Sequence, residues 1–71
     1  MPAETDRIQV NLARLLTERQ MTLAELAKRI DVTVVNLSKL KNGHAKAIRF
    51  STLTALCDAL DCKPGDLLDL G

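Results

Sequence analysis

Residues 22–43 read TLAELAKRIDVTVVNLSKLKNG. Thr22 followed by Glu25 is a capping box, in which the side chain of each satisfies a backbone N–H of the other. Met21 and Leu26 stand at the positions of a hydrophobic staple. Leu23, Leu26, Ala27 and Ile30 recur at helical spacing and define one buried stripe. Ala27 is small, as a close helix crossing requires. Asp31 and Val32 then form a turn. A reversal this tight needs a residue with positive φ, which Asp tolerates for roughly 1 kcal/mol. Thr33 caps a second helix, Val32 and Leu37 staple it, and Asn42-Gly43 closes it. The stretch is two short helices about a tight turn, the second spanning about 33–42.

On a wheel of about 100° per residue, Leu37 and Leu40 point one way. The opposite face carries Val35, Ser38, Lys39 and Asn42, with Val34 on the shoulder. It has no acidic residue, although the chain holds nine. A merely solvated helix usually mixes Glu with Lys for i,i+4 support. Such a face suits the major groove of double-stranded DNA, which admits one α-helix. Thr33, Val34, Val35 and Lys39 then meet base edges. Lys39 can donate to guanine, the valine methyls can pack on thymine methyls, and Ser38 can bond more than one base. Lys41, Asn42, His44, Lys46 and Arg49 lie along the phosphates. The free N–H groups opening the two helices of the stretch offer further phosphate contacts.

The flanks complete a small helical domain. Ile8, Leu12, Leu15 and Leu16 predict a first helix from about Asn11, its N-cap, to Arg19, with a start as early as Arg7 allowed. Ile8 and Val10 also alternate with Arg7 and Gln9. If residues 7–10 are extended, they offer an edge to a second copy. Residues 44–50, HAKAIRF, read as a loop. Ser51 caps a fourth helix with the stripe Leu53, Leu56, Cys57 and Leu60. Pro64 opens a short fifth helix reaching about Leu68. The expected fold is all-α: five helices, one domain over residues 1–71, with the core between about 11 and 68. Residues 1–6 are expected to fray.

Composition narrows the function further. The one aromatic residue is Phe50, which argues against stacking on single-stranded bases. The net charge of +1 divides unevenly: residues 31–50 carry +3 and residues 51–71 carry −3. That asymmetry marks one anion-seeking face. Cys57 and Cys62, with the lone His44, are too few for a metal site and read as idle thiols. No cofactor is expected. Asp58, Asp61, Asp66 and Asp69 read as solubilising or capping charges. No base is placed beside a nucleophile and no phosphate loop occurs, so no enzyme is expected. No apolar run reaches the ~18 residues of a membrane span, and MPAETD lacks a basic leader, so a cytoplasmic protein is expected.

These residues together resemble the Cro/C1-type helix-turn-helix family of bacterial and phage regulators. The carriers are Leu12-x-x-Leu15, Met21-Thr22-x-x-Glu25-Leu26-Ala27 and Val32-Thr33-x-x-x-Leu37-Ser38-x-Leu40-x-Asn42-Gly43. Phe50-Ser51-Thr52-Leu53 and Leu60-x-Cys62-x-Pro64-x-Asp66-Leu67-Leu68 follow. The resemblance implies a lambda-repressor-like fold with helices 2 and 3 as the DNA-binding unit. It implies base contacts from Val34, Val35, Ser38 and Lys39, and backbone contacts from Thr33, Asn42, Lys46 and Arg49. It also implies a sequence-specific regulator acting as a homodimer on two half-sites. Three positions depart from the pattern. Leu23 stands where the family often has Gln, Asp31 replaces the usual turn Gly, and Val34 and Val35 replace residues more often polar. The valine pair favours an alternative: a protein-interaction module, antitoxin-like or an accessory subunit, on the same fold. For a dimer, the candidate contacts are residues 7–10 or the C-terminal leucines.

Overall fold

Four helix ends shape the chain, and all four close in the same way. The computed structural model describes residues 7–70. In chain order they form β1 (Ile8–Val10), α1 (Leu12–Glu18), α2 (Leu23–Ile30), α3 (Val34–Lys41), α4 (Phe50–Leu60), α5 (Pro64–Leu67) and β2 (Leu68–Leu70). Gln20, Asp31, Gly43 and Asp61 follow α1 to α4, and each has a φ between 51° and 78°. The next residue donates its N–H five positions back: Met21 to Leu16, Val32 to Ala27, His44 to Lys39 and Cys62 to Cys57, at 2.8–3.1 Å. This is the Schellman closure, which reverses the chain while satisfying orphan carbonyls. Met21, Val32 and Cys62 also pack on the core. His44 is exposed and anchors nothing.

The helix starts match the sequence reading at Asn11, Thr22, Thr33 and Pro64 and depart from it at Ser51. Thr22 closes its capping box with Glu25, and Thr33 Oγ1 accepts the Asn36 N–H at 3.1 Å. Asn11 does occupy the N-cap of α1. However, its side chain reaches across to the Asp66 carbonyl at 3.4 Å instead of capping its own helix. Ser51 is not the cap of α4. The helix begins at Phe50, Arg49 takes the cap position, and Ser51 lies inside the first turn. Ser51 carries the usual cap side chain, but extended backbone persists only to Arg49.

The strictly all-α expectation is corrected by the two strands. Residues 8–10 are extended, and they pair within the chain. Ile8 faces Leu70, Gln9 faces Asp69 and Val10 faces Leu68, antiparallel. The fifth helix accordingly stops at Leu67, and Leu68 enters β2. The alternation of residues 7–11 and the leucines of the tail turn out to be two halves of one feature.

Leu12, Leu26, Leu37, Leu56, Leu60 and Leu67 are fully buried, each contributing about 1.5–3 kcal/mol from apolar burial. α2 lies against both α3 and α4, α1 contacts α3, and α5 packs on α4. Arg19 ties the end of α1 to the end of α4. Its Nε donates to the Leu60 carbonyl at 2.7 Å and its Nη2 to the Asp61 carbonyl at 3.3 Å. Both cysteines are free thiols. Burial pushes the Cys62 thiol up, which keeps it protonated at neutral pH.

Candidate nucleic-acid interface

α3 is held by Leu37 and Leu40, which bury one side of it and leave the rest to solvent. Val34, Val35, Lys39 and Asn42 are exposed, Val35 at 63%. Ser38 is half-buried, and its Oγ accepts from Asn42 Nδ2 at 3.3 Å. That bond fixes the two polar side chains one turn apart and leaves the Ser38 hydroxyl proton for another acceptor. Val34 does not tuck into the core; it stays 46% exposed. The face is a methyl-rich surface with one cation and one hydroxyl–amide pair.

The predicted phosphate-contacting residues do not form one line. Lys39 and Arg49 share a groove of about 410 Å³ between α3 and the start of α4, together with Asn36 and Thr52. Lys41 lies on another side, in a groove of about 320 Å³ with Thr17, Gln20 and Thr22. Lys46 borders a third recess beside the sheet. His44 is exposed just beyond Gly43. The cations thus surround the C-terminal half of α3. Among the described residues, none of the four has a carboxylate within 4 Å.

The helix starts differ in what they offer an anion. The start of α2 is already occupied. The Thr22 N–H donates to Glu25 Oε1 at 2.9 Å and the Glu25 N–H to Thr22 Oγ1 at 3.1 Å. The first of these bonds, seconded by the Thr22 side chain, which also favours the charged carboxylate, holds the Glu25 carboxyl below its ordinary value. The carboxylate therefore guards that helix start against phosphate. At α3, Thr33 takes one N–H. α4 has neither a capping side chain nor an acid in its first turn. Its opening N–H groups have no helical partner, and Arg49 stands beside them.

Asn36, Thr52, Phe50 and the start of α4 were missed by sequence reasoning. Phe50 is 84% exposed, immediately after Arg49. A wheel drawn for α3 alone cannot show a groove whose other wall is α4. Placing the cap at Ser51 also hid the open helix start. The bare cap position at Arg49 was the available signal.

Comparison with known proteins gives this surface its context. A profile of the Cro/C1-type HTH DNA-binding domain matches residues 11–70. The chain belongs to the Cro/C1-type helix-turn-helix family. An uncharacterized HTH-type transcriptional regulator of Bacillus subtilis (strain 168), YozG, is 53% identical over 62 residues, covering 87% of this chain and 74% of that protein. The crystal structure of the transcriptional regulator VanUg superposes with a TM-score of 0.73 at 31% identity, over 89% of this chain and 83% of that one. The Cro/C1-type assignment makes the chain a DNA-binding regulator, with a five-helix domain that two short strands complete.

Proposed function

We propose that this chain is a sequence-specific transcriptional regulator. α2 and α3 form its helix-turn-helix, and α3 enters the major groove of double-stranded DNA. The observation that carries the reading is the exposed, acid-free face of α3, flanked by Lys39, Lys41, Lys46 and Arg49, none of which has a carboxylate partner among the described residues. Lys39 reads base edges, Val34 and Val35 pack on thymine methyls, and Ser38 donates from its fixed position beside Asn42. Thr33, Lys41, His44, Lys46 and Arg49 meet the phosphates. The open start of α4 adds backbone N–H donors beside Arg49. Two copies bind half-sites about 34 Å apart.

Selection of bound duplexes from a random pool, followed by a salt titration on the winner, tests this. About five phosphate contacts per domain give a log K against log salt slope near −4 to −5. Binding to no duplex, or binding insensitive to salt, overturns the reading. The exposed Val34–Val35 pair favours the second reading, a protein-interaction module, and that result would leave it standing.

A further inference from the structure

The first turn of α3 carries side chains that stability does not explain. Thr33, Val34 and Val35 are three β-branched residues in succession. Such residues are poorer helix formers than Ala, Leu or Lys, because they lose χ1 freedom against the preceding turn. Burial normally offsets that loss, yet Val34 and Val35 stay 46% and 63% exposed. Thr33 Oγ1 is engaged as the cap, accepting the Asn36 N–H at 3.1 Å. In a helix a valine is held near one χ1 rotamer, so its methyls are already placed for a contact. Lys39 stands one turn beyond Val35 on the same side of the helix, and it too is exposed.

We infer that Val35 and Lys39 together read a methyl-bearing pyrimidine beside a guanine, so that cytosine methylated at C5 is accepted in the place of thymine. This deepens the proposed function and rests on α3 lying in the major groove. There thymine shows its O4 acceptor and a C5 methyl, while cytosine shows its N4 amino donor and no methyl. Methylated cytosine carries the methyl on the same ring carbon as thymine. It differs from thymine at the neighbouring C4, where a donor replaces an acceptor. A valine side chain has no hydrogen-bonding group, so it is blind to that exchange and senses only the methyl. Lys39 donates to guanine O6 and N7. The pair therefore fits thymine–guanine and methylcytosine–guanine steps alike and disfavours unmethylated cytosine–guanine. Methylation of such a site raises its occupancy.

What surrounds the valines favours a duplex over an apolar protein surface. α3 has no acidic residue, and Lys39 shares the groove beside it with Arg49. Among the described residues neither cation has a carboxylate within 4 Å. An apolar partner would strip water from these cations and return no counter-charge, whereas the walls of the major groove supply phosphates. The contact itself is small. Burying one methyl group changes an equilibrium constant about fourfold. The methyl therefore grades the occupancy of a site that backbone contacts already make attractive, and it does not act as an all-or-none switch.

The test titrates the full chain, by fluorescence anisotropy at fixed salt, against the duplex selected from a random pool. Each pyrimidine–guanine step of that duplex is remade with thymine, uracil, cytosine or 5-methylcytosine. At one such step thymine and 5-methylcytosine should bind equally, and uracil and cytosine about fourfold more weakly. Val35→Ala should remove the difference between thymine and uracil while salt-dependent binding persists. It should also raise the urea midpoint slightly, since alanine is the better helix former, which separates reading from folding. Lys39→Ala should weaken all four duplexes and leave the methyl ratio intact. Binding to no duplex overturns the proposed function and this inference with it. Salt-dependent binding that ignores the methyl at every such step, or a selected site without a pyrimidine–guanine step, overturns the inference alone. So does 5-methylcytosine binding as weakly as cytosine, which would assign the preference to the thymine O4. A methyl preference that survives Val35→Ala places the reader elsewhere and overturns it. Duplex affinities unchanged by Val34→Ala with Val35→Ala leave the pair to a protein partner and overturn it as well.

Discussion

Gln20, Asp31 and Asp61 hold backbone conformations that favour glycine, and only Gly43 supplies one. Gln is the least suited of the three side chains, since it lacks the short local hydrogen bond open to Asp. Gln20→Gly should stabilise the domain by about 0.5–1 kcal/mol in urea unfolding, with smaller gains at the two aspartates. The reverse holds at Gly43. An added Cβ there meets nothing, so Gly43→Ala should cost about 1–2 kcal/mol from backbone strain alone. Glu25 carries a pH signature. Its folded pKa lies below the ordinary 4.5, so its contribution is full at neutral pH and is lost as pH falls through the folded value. The wild type should melt above Glu25→Gln at pH 7, and the gap should shrink towards pH 3. The positive φ at Asp31 was legible in the sequence, because two capped helices flank a turn too short for anything else. The same conformation at Gln20 and Asp61 was not. Neither residue is a usual terminator, and the positive φ is imposed by the anchoring of Met21 and Cys62 in the core.

At the scale of elements, the caps at Thr22 and Thr33, the glycine stop and Pro64 at the head of α5 could all be read locally, because each depends on neighbours within about one turn. What depended on distant partners could not. The β1–β2 pairing joins residues about sixty positions apart, and the groove shared by Lys39 and Arg49 depends on where α4 lands. The start of α4 gives a sharp distinction between roles. Lys39→Ala should weaken binding to the selected duplex by about 1–3 kcal/mol and blur preference at one base pair. Arg49→Ala should weaken all sequences about equally and flatten the salt slope by about one. Equal, uniform losses from both would place α3 outside the major groove. Arg19 works between elements in a different way, since it closes the end of α4 from the end of α1. Arg19→Ala should lower stability by about 1.5–3 kcal/mol, read in thermal or urea unfolding, with half-site affinity retained after correction for folding.

For the whole molecule, the margin is narrow. A domain of this length is worth roughly 4–10 kcal/mol, at about 0.05–0.15 per residue. α5 has four residues and cannot stand by itself, yet its Leu67 is fully buried. Leu67→Ala should therefore cost about 2–5 kcal/mol and remove much of the fold's reserve, seen as a collapse of the urea midpoint. Half-sheet, short helix and α1 would loosen together, because Leu67 also accepts the Asn11 N–H. The division of labour is spatial. The leucine core and Arg19 hold the domain together away from the proposed DNA-binding face, and the cations stand where little packing depends on them.

The helix proposed to read DNA is also the one whose closing turn is not fastened. After α1, α2 and α4 the residue beyond the turn is a hydrophobic plug; after α3 it is His44, in solvent. Amide protons from about Asn42 to Ile48 should therefore exchange fastest within the domain's interior, through local openings that leave the core shut. A bound duplex should slow them more than any others. Ordering that segment draws on the free energy of association, so a plug at position 44 would tighten binding to right and wrong sites alike and leave the ratio between them unchanged.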